Sequence, residues 1–465
     1  MNFISKMLKR LCAAVVAAGV MATALVLPAA ADDAVTLPDN EAISFVNGMG
    51  AGWNLGNAMD AANCTWLSNE MDYETAWCGA MTTRELIKAV ADKGFSTIRI
   101  PVSWHNHVDS NFNISEQWMA RVKEIVDWSV DAGLYVILNS HHDIEKGYYY
   151  PTEAEYKTSE KFVKKIWEQI SDEFKDYSDK LVFETSNEPR AVGTDYEWWI
   201  SASSPSAQAK ESIDCINRLN QAALDTIRAS GGNNKSRFVM VPGYATSTDG
   251  VKTSYFELPK DSVKDRLIVT IHIYTDKKGY YIAPLRSVYE KYVKNGIPVI
   301  LGEYNENSGN NSYDSQSAEF LGGLVKYARE RGISCVIWDN NAKEFKIIDR
   351  KTLKWTHDDV AKAVVENGAS AQTKAEQKST KPVLTAKAGD KRVTLSWTAV
   401  DGATKYKVYR YQNGKLKAVK TTKNQKLTIK SLKNGTKYTY AVKAYVNGKW
   451  TTIKKSDLVS VTPKK

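Results

Sequence analysis

Apolar runs of strand length alternate with longer stretches of helical periodicity between about Gly50 and Asn340. The runs are GAGWNLG, STIRIPVSW, YVILNSHH, KLVFETSNEP, RFVMVPGYA, LIVTIHIY, PVILGEYN and SCVIWDN. Between them lie TTRELIKAVADKG, SEQWMARVKEIVDWSVDAG, a segment from Glu155 to Tyr177, AQAKESIDCINRLNQAALDTIRAS and SQSAEFLGGLVKYARERG, each with the three-to-four-residue spacing of an amphipathic helix. Several end in glycine, as a helix C-cap does. Runs rich in Val, Ile and Leu with little alternation suit strands covered on both faces, and strict strand–helix alternation calls for a parallel sheet. Eight such units in about 300 residues predict a closed (β/α)8 barrel, the TIM architecture. An open doubly wound sheet is the alternative, but no Gly-rich phosphate loop follows the first strand.

The pattern changes after the barrel. NGASAQTKAEQKSTK, residues 367–381, is polar and reads as a linker. Residues 382–465 then show RVTLSWTAV, TKYKVYRYQ, KLKAVKT, QKLTIKSL and TKYTYAVKAYV, short β-branched and aromatic runs separated by DGA, NGK and NGT turns. They predict a small all-β, immunoglobulin-like sandwich. Trp397 in an early strand, with Leu432, Gly435 and Tyr438 before YTYAVKAY, resembles a fibronectin type III module. Its aromatics mostly fall in the alternating pattern of a sandwich core, so no carbohydrate platform is expected there.

At 465 residues and 43% hydrophobic, the chain is long enough for more than one domain and apolar enough for a sizeable core. Lys6, Lys9 and Arg10 precede LCAAVVAAGVMATALVL and Ala29-Ala30-Ala31, the layout of a secretory signal over residues 1–31. The barrel domain is then expected over 32–366, in a protein that is extracellular and holds no membrane anchor after cleavage. Cys64 and Cys78 share one polar loop and can form a local disulfide outside the cell, whereas Cys215 and Cys335 read as buried thiols. The formal charge of +10 is unevenly spread: residues 381–465 carry a net +18 and the rest a net −8. For an exported chain this excludes nucleic acid as the expected partner; the basic module reads first as a spacer, with electrostatic adhesion to an anionic surface such as a cell wall or acidic polysaccharide as the alternative its lysines raise. A monomer is expected.

Working residues of such a barrel project from the C-terminal ends of its strands. There the sequence places Arg99, His141 and His142, Asn187 and Glu188, His272 and Tyr274, Glu303, and Trp338. Singly, the histidines and Trp338 read as core and the glutamates as helix caps. Jointly they do not, since five of six histidines (His105, His107, His141, His142, His272) sit at strand ends. Glu188 and Glu303, from the fourth and seventh strands, would face each other across the mouth, as glycosidic bond cleavage requires.

The motifs LGN near Asn57, TIRIP, NSHHD, SNEP, IHIY, LGEY and IWDN, in this order from about Ile43 to Val365, strongly resemble glycoside hydrolase family 5, in its endoglucanase-rich branch. The resemblance implies a retaining mechanism with Glu188 as acid/base and Glu303 as nucleophile, their carboxyl groups about 5–5.5 Å apart. It also implies that Arg99 and Tyr274 hold Glu303 ionised, that His272 keeps the two glutamates in different protonation states, and that Asn187 meets the sugar 2-hydroxyl. His141 would orient the central sugar and Trp338 stack beneath it. Asn54, Trp53, His107 and His142 are expected to line substrate subsites, with Trp198, Trp199 and Tyr148 to Tyr150 further out. The implied chemistry needs no metal and no organic cofactor, and the implied substrate is a β-1,4-glucan, with xyloglucan, mixed-linkage glucan, mannan and xylan served by the same catalytic set. Ser140 and Ser186 depart from the family's commonest apolar wording. Two rival readings exist: a metal-dependent barrel hydrolase using the His105–His107 pair and His141, His142 and Asp143, and a non-catalytic polysaccharide-binding barrel.

Overall fold

The computed structural model describes residues 35–277, 279–307, 313–369, 381–398, 400, 403–412, 414–446, 449–453 and 457–464. The signal segment 1–31 and most of the linker lie outside them. Eight parallel strands close into a barrel in sequence order: β1 (Ala51–Leu55), β2 (Thr97–Ile100), β3 (Tyr135–Asn139), β4 (Leu181–Glu184), β5 (Val239–Pro242), β6 (Leu267–Thr275), β7 (Val299–Glu306) and β8 (Ser334–Asp339). β8 pairs back onto β1, so the sheet has no free edge.

The helices form as their caps and stripes dictate. They are α1 (Glu41–Met49), α2 (Tyr73–Ala76), α3 (Arg84–Lys93), α4 (Glu116–Asp131), α5 (Tyr156–Phe174), α6 (Ala207–Ala229), α7 (Thr248–Lys252), α8 (Ile282–Lys291), α9 (Ser317–Glu330) and α10 (Asp358–Gly368). Thr83, Ser115 and Ser206 accept the amide three residues on at the starts of α3, α4 and α6, supplying partners for otherwise orphaned N–H groups. α5 buries Phe162, Ile166, Trp167, Ile170 and Phe174 completely, each stabilising the fold by about 1.5–3 kcal/mol. The periodicity missed α1, α2, α7, α8 and α10. α10 packs on α9, α3 and β1, and it runs two residues into the segment read as linker, making Asn367 and Gly368 helical. Among the described residues no helix is long and apolar enough to cross a membrane.

Polarity changes along the barrel axis. Ala42, Val46 and Met49 of α1 form one cluster with the inward residues Ile137, Val182, Met240, Ile268, Ile300 and Val336, closing the N-terminal end. Two residues further along the same strands, on the same face, come Asn139, Glu184 and Thr270, all fully buried. The interior therefore turns hydrophilic towards the C-terminal mouth.

One irregularity decides where Glu303 points. Ile300 faces inward, so simple alternation would aim Gly302 inward and Glu303 at the helices. Pairing of β6 with β7 instead shifts after Ile271–Leu301 to His272–Glu303, leaving Gly302 as the extra residue of a bulge. Glu303 is thereby turned into the mouth beside His272. Only glycine fits the bulge: a Cβ on Gly302 would lie 2.8 Å from Thr270 Oγ1 and 3.2 Å from His272 Nε2.

Beyond β8, the pair β9 (Ile348–Asp349) and β10 (Lys354–Trp355) forms a small hairpin. The C-terminal sandwich has one sheet of β11 (Leu384–Gly389), β12 (Arg392–Trp397) and β15 (Lys426–Ile429). The other holds β14 (Lys415–Thr422), β13 (Ala403–Gln412), β16 (Tyr438–Val446) and β17 (Lys449–Trp450), with β18 (Val459–Val461) on β16. Trp397, Tyr406, Tyr438 and Tyr440 fill its core, and the Tyr438 hydroxyl accepts the Lys433 N–H at 3.0 Å, fixing the corner before β16. Tyr409, Tyr411, Tyr445 and Trp450 stay outside that core.

Candidate active site

The mouth is organised around Arg99, which β2 delivers fully buried. Its guanidinium donates to Glu184 and Glu303 at 2.7 Å each, to Asn187 Oδ1 at 2.7 Å and to Asn54 Oδ1 at 3.0 Å. Burial opposes its charge, but the two carboxylates outweigh burial and push Arg99 above its ordinary value. Glu184 is itself fixed by Asn139 Nδ2 at 2.9 Å and Thr270 Oγ1 at 3.0 Å. The arginine thus acts as a rigid bracket, holding Glu303 by one nitrogen and Asn187 by another.

Glu303 receives a second donor, the Tyr274 hydroxyl, at 2.8 Å. Burial and then the Glu303 charge push the Tyr274 phenol well above its ordinary value, so it stays a donor across the working range. Opposite, Glu188 Oε1 lies 2.9 Å from His272 Nδ1, which is also 3.7 Å from Glu303 Oε2. One carboxylate oxygen of each glutamate lies within 4.8 Å of the other. Burial pushes the Glu188 carboxyl up, yet the bond and charge of His272, with Arg190 3.8 Å away and His142 nearby, more than offset it and leave Glu188 below its usual range.

Trp338, at the end of β8, lies parallel to His141 with ring centres 5.6 Å apart. Gly56 makes room for it, since a Cβ there would fall 2.5 Å from the indole. His141 Nε2 is 3.9 Å from Glu303, and burial first, then the charges of His142 and Arg99, push it well below its ordinary value. It is neutral. His142 is partly open to the mouth, tilts against Trp77 at 5.5 Å and lies 3.9 Å from Asp60. Burial pushes His142 down to about 4 and Asp60 up to about 7. Trp198 and Trp199 are exposed, and the Arg190 guanidinium lies 3.7 Å over the Trp198 ring.

Several expected subsite residues sit elsewhere. Trp53 is fully buried: its neighbour Asn54 faces the barrel interior, so Trp53 faces the outer layer, beneath the Arg350 guanidinium at 5.2 Å. Asn54 is also fully buried, and its amide spans the Gly302 and Val336 carbonyls at 2.9 and 3.2 Å while its oxygen holds Arg99. It positions the bracket and has no surface for a sugar. His107 stacks on Trp118 at 3.5 Å and bonds Glu70 at 3.3 Å, away from the mouth. Tyr149 and Tyr150 are buried in the outer layer. Cys64 and Cys78 are free thiols, each turned to backbone carbonyls, so the local disulfide is absent; Cys215 and Cys335 are buried thiols.

The HxH spacing does not converge either. His105 is bonded to Asp143 and Asn63 at 3.0 Å each, while His107 is turned to Glu70. Donor atoms do cluster in two trios, Asp60–His141–His142 and Glu188–His272–Glu303, each within 4.8 Å. The second is the glutamate pair with its histidine. Sequence reasoning missed Glu184, Asn139, Thr270 and Asp60. A charged residue inside an apolar strand, as in LVFE, was the available signal for Glu184, because a buried arginine needs more than one acceptor.

Two carboxylates facing each other at the C-terminal mouth of a closed barrel are the arrangement that glycoside hydrolases use. The profile described as Cellulase (glycosyl hydrolase family 5) matches residues 59–344, and that described as Fibronectin type III domain matches 380–458. Endoglucanase A of Clostridium longisporum is 38% identical over 351 residues, covering 70% of this chain and 65% of that protein. Cellulase/esterase CelE of Acetivibrio thermocellus is 36% identical over 355 residues, covering 70% of this chain and 40% of its own length. This chain therefore spans less than two thirds of either relative. Among solved structures, a GH5 family lichenase from Caldicellulosiruptor sp. F32 superposes with a TM-score of 0.68 at 41% identity, over 72% of this chain and 96% of the lichenase. A mutant of that lichenase was solved in complex with cellotetraose, at TM-score 0.68 and 40% identity over 72% of this chain and 96% of its own. The chain belongs to glycoside hydrolase family 5.

Proposed function

We propose that the protein is a secreted, monomeric endo-β-1,4-glucanase that cleaves internal bonds of cellulose or related β-glucans with retention of configuration, without metal or organic cofactor. The observation that carries this reading is the pair of carboxylate oxygens from Glu188 and Glu303 within 4.8 Å, each glutamate held by different partners. That spacing suits a nucleophile and an acid on one sugar and leaves little room for the intervening water of an inverting enzyme.

Glu303, fixed by Arg99 and Tyr274, attacks the anomeric carbon and forms a glycosyl-enzyme. Glu188 protonates the departing oxygen, then draws the proton from water in the second step. Burial is already the largest influence on Glu188, and a bound glucan deepens it, moving the carboxyl towards the protonated form the first step needs. Asn187 carries its oxygen on Arg99, which leaves its amide to donate to the sugar 2-hydroxyl. Trp338 and its partner His141 form the floor for the ring. Endoglucanase relatives support the β-1,4-glucan, and the likeness to the lichenase supports mixed-linkage glucan as a second substrate.

The test is a panel of cellulose, lichenan, xyloglucan, mannan and xylan with wild type, Glu188→Gln and Glu303→Gln, with early product anomers followed by NMR. The expected result is a β-anomer released first from a β-glucan by wild type and loss of cleavage in Glu303→Gln. An α-anomer first, cleavage by Glu303→Gln, or no cleavage of any β-glycan refutes the proposal.

A further inference from the structure

We infer that the outward face of the larger sandwich sheet is a binding surface for an acidic polysaccharide, a polymer of pyranose rings bearing carboxylates. The inference rests on the C-terminal sandwich alone and is independent of how the barrel is read.

Strand parity defines the face. On β13, Tyr406 and Val408 enter the core, so Lys405, Lys407, Tyr409 and Tyr411 project from the other side. On β16, Tyr440, Val442 and Ala444 are core, which turns Lys443 and Tyr445 outward. Pairing places Lys405 opposite Tyr445, Lys407 opposite Lys443, and Trp450 of β17 opposite Tyr445. The rings and ammonium groups interleave: Lys405 lies 4.4 Å over Tyr445, Lys407 5.3 Å over Trp450 and Lys443 5.8 Å over Tyr409. From Lys405 to Tyr411 the row extends roughly 20 Å along the strand, room for several sugar rings.

This face is costly for the fold. Lys407 directly opposite Lys443 is a like-charge cross-strand pair, which destabilises a sheet. Among the described residues no carboxylate stands within salt-bridge distance of Lys405, Lys407 or Lys443. On the edge strand β14 the residues that share this face are Leu416 opposite Tyr411, left 36% accessible, Ala418 opposite Tyr409 and Thr421 opposite Lys407, while Lys415, Lys417 and Lys420 are exposed on the opposite side. Residues 381–465 hold no glutamate and carry a net +18. Two chemistries coincide on one surface: flat aromatic faces that pack on pyranose rings, and unneutralised cations that match carboxylates on those rings. A neutral glucan would leave the lysines unanswered. A simple polyanion would leave the rings unanswered.

The test is native affinity electrophoresis of the full-length protein through gels containing polygalacturonate, hydroxyethylcellulose or polyphosphate. It compares wild type with the double variants Lys407→Gln/Lys443→Gln and Tyr409→Ala/Trp450→Ala. These positions lie outside the sandwich core, and the melting curve reports that each variant is folded. The expected result is retardation by polygalacturonate that either double variant weakens by about tenfold or more. Raising NaCl from about 50 to about 300 mM should weaken it as well, because exposed charges are screened. No retardation by polygalacturonate, or retardation that survives in both variants, overturns the proposal. So does polyphosphate retarding the protein as strongly while the aromatic variant behaves as wild type, since the surface would then recognise charge alone.

Discussion

Gly56→Ala isolates the contribution of Trp338. A Cβ at this position would lie 2.5, 2.7 and 2.8 Å from Cζ2, Cη2 and Cε2 of the indole. Carbon atoms in contact prefer about 3.5–4 Å, so the ring must retreat by about 1 Å. The backbone offers no obstacle, because Gly56 is not in the left-handed region. Trp338 is backed by the parallel His141 ring at 5.6 Å, and its carbonyl is held by Asn305 at 2.9 Å, so the indole tilts rather than translates. Overpacking of this kind costs about 1–3 kcal/mol of stability. Displacing a positioning group by 1 Å costs on the order of 10²-fold in rate, about 2.7 kcal/mol of transition-state stabilisation. The control is Gly52→Ala, whose Cβ would meet Val336 at 2.8 Å, one layer below the site. Thermal unfolding and initial rates on a soluble β-glucan, measured below both transitions, separate the two variants. Both should lose comparable stability, and only Gly56→Ala should lose kcat/KM. Equal activity losses, or an unchanged kcat/KM in Gly56→Ala, would refute the assignment of Trp338 as the sugar floor.

Tyr274→Phe removes the 2.8 Å donor to Glu303 and leaves the ring, so kcat should fall by roughly 10- to 100-fold, the worth of about 1.5–3 kcal/mol for a bond to a charged group, with little change in melting temperature. Asp60 is held up at about 7 by burial against an ordinary 3.8. Between those values the unfolded chain releases a proton that the native chain keeps, so the stability this group contributes is full below 3.8, declines as pH rises and is lost above about 7. Asp60→Asn should therefore flatten the fall of melting temperature across that window, and a variant that tracks wild type throughout would count against a buried neutral Asp60. Trp53→Phe should lower stability by on the order of 1 kcal/mol and leave KM on β-glucan unchanged, because the indole lies in the outer layer; a raised KM would return Trp53 to the substrate. Melting curves with and without a reducing agent should coincide, since Cys64 and Cys78 are unbridged.

The hydrophobic pattern was enough for the barrel. Strands covered on both faces read as continuous apolar runs, and all eight were visible for that reason. Residues at strand ends were legible too, because only an end can carry a polar side chain to the mouth. α7 and α8 were harder, since α7 is a single short turn of helix and α8 begins IAP, where proline breaks the expected pattern. In the sandwich, alternation marked the strands but not which aromatic faces the core; Trp397, Tyr406, Tyr438 and Tyr440 do, and Tyr409, Tyr411, Tyr445 and Trp450 do not.

What the sequence determined by itself is the order of strands, the two-domain division by composition, and which residue types stand at the mouth. Those follow from local periodicity, which needs no knowledge of neighbours. The tertiary structure alone decided facing and partnership. Trp53 and Asn54 are adjacent in the chain yet serve the outer layer and the Arg99 bracket, because a strand's period of two sends them to opposite sides. Glu303 faces the mouth only because the bulge at Gly302 reverses its parity, an extra residue of β7 that shows only in its pairing with β6 and β8. Glu184 became part of the site when closure brought β4 and β2 within reach of one guanidinium, a contact between residues 85 positions apart that no local pattern records.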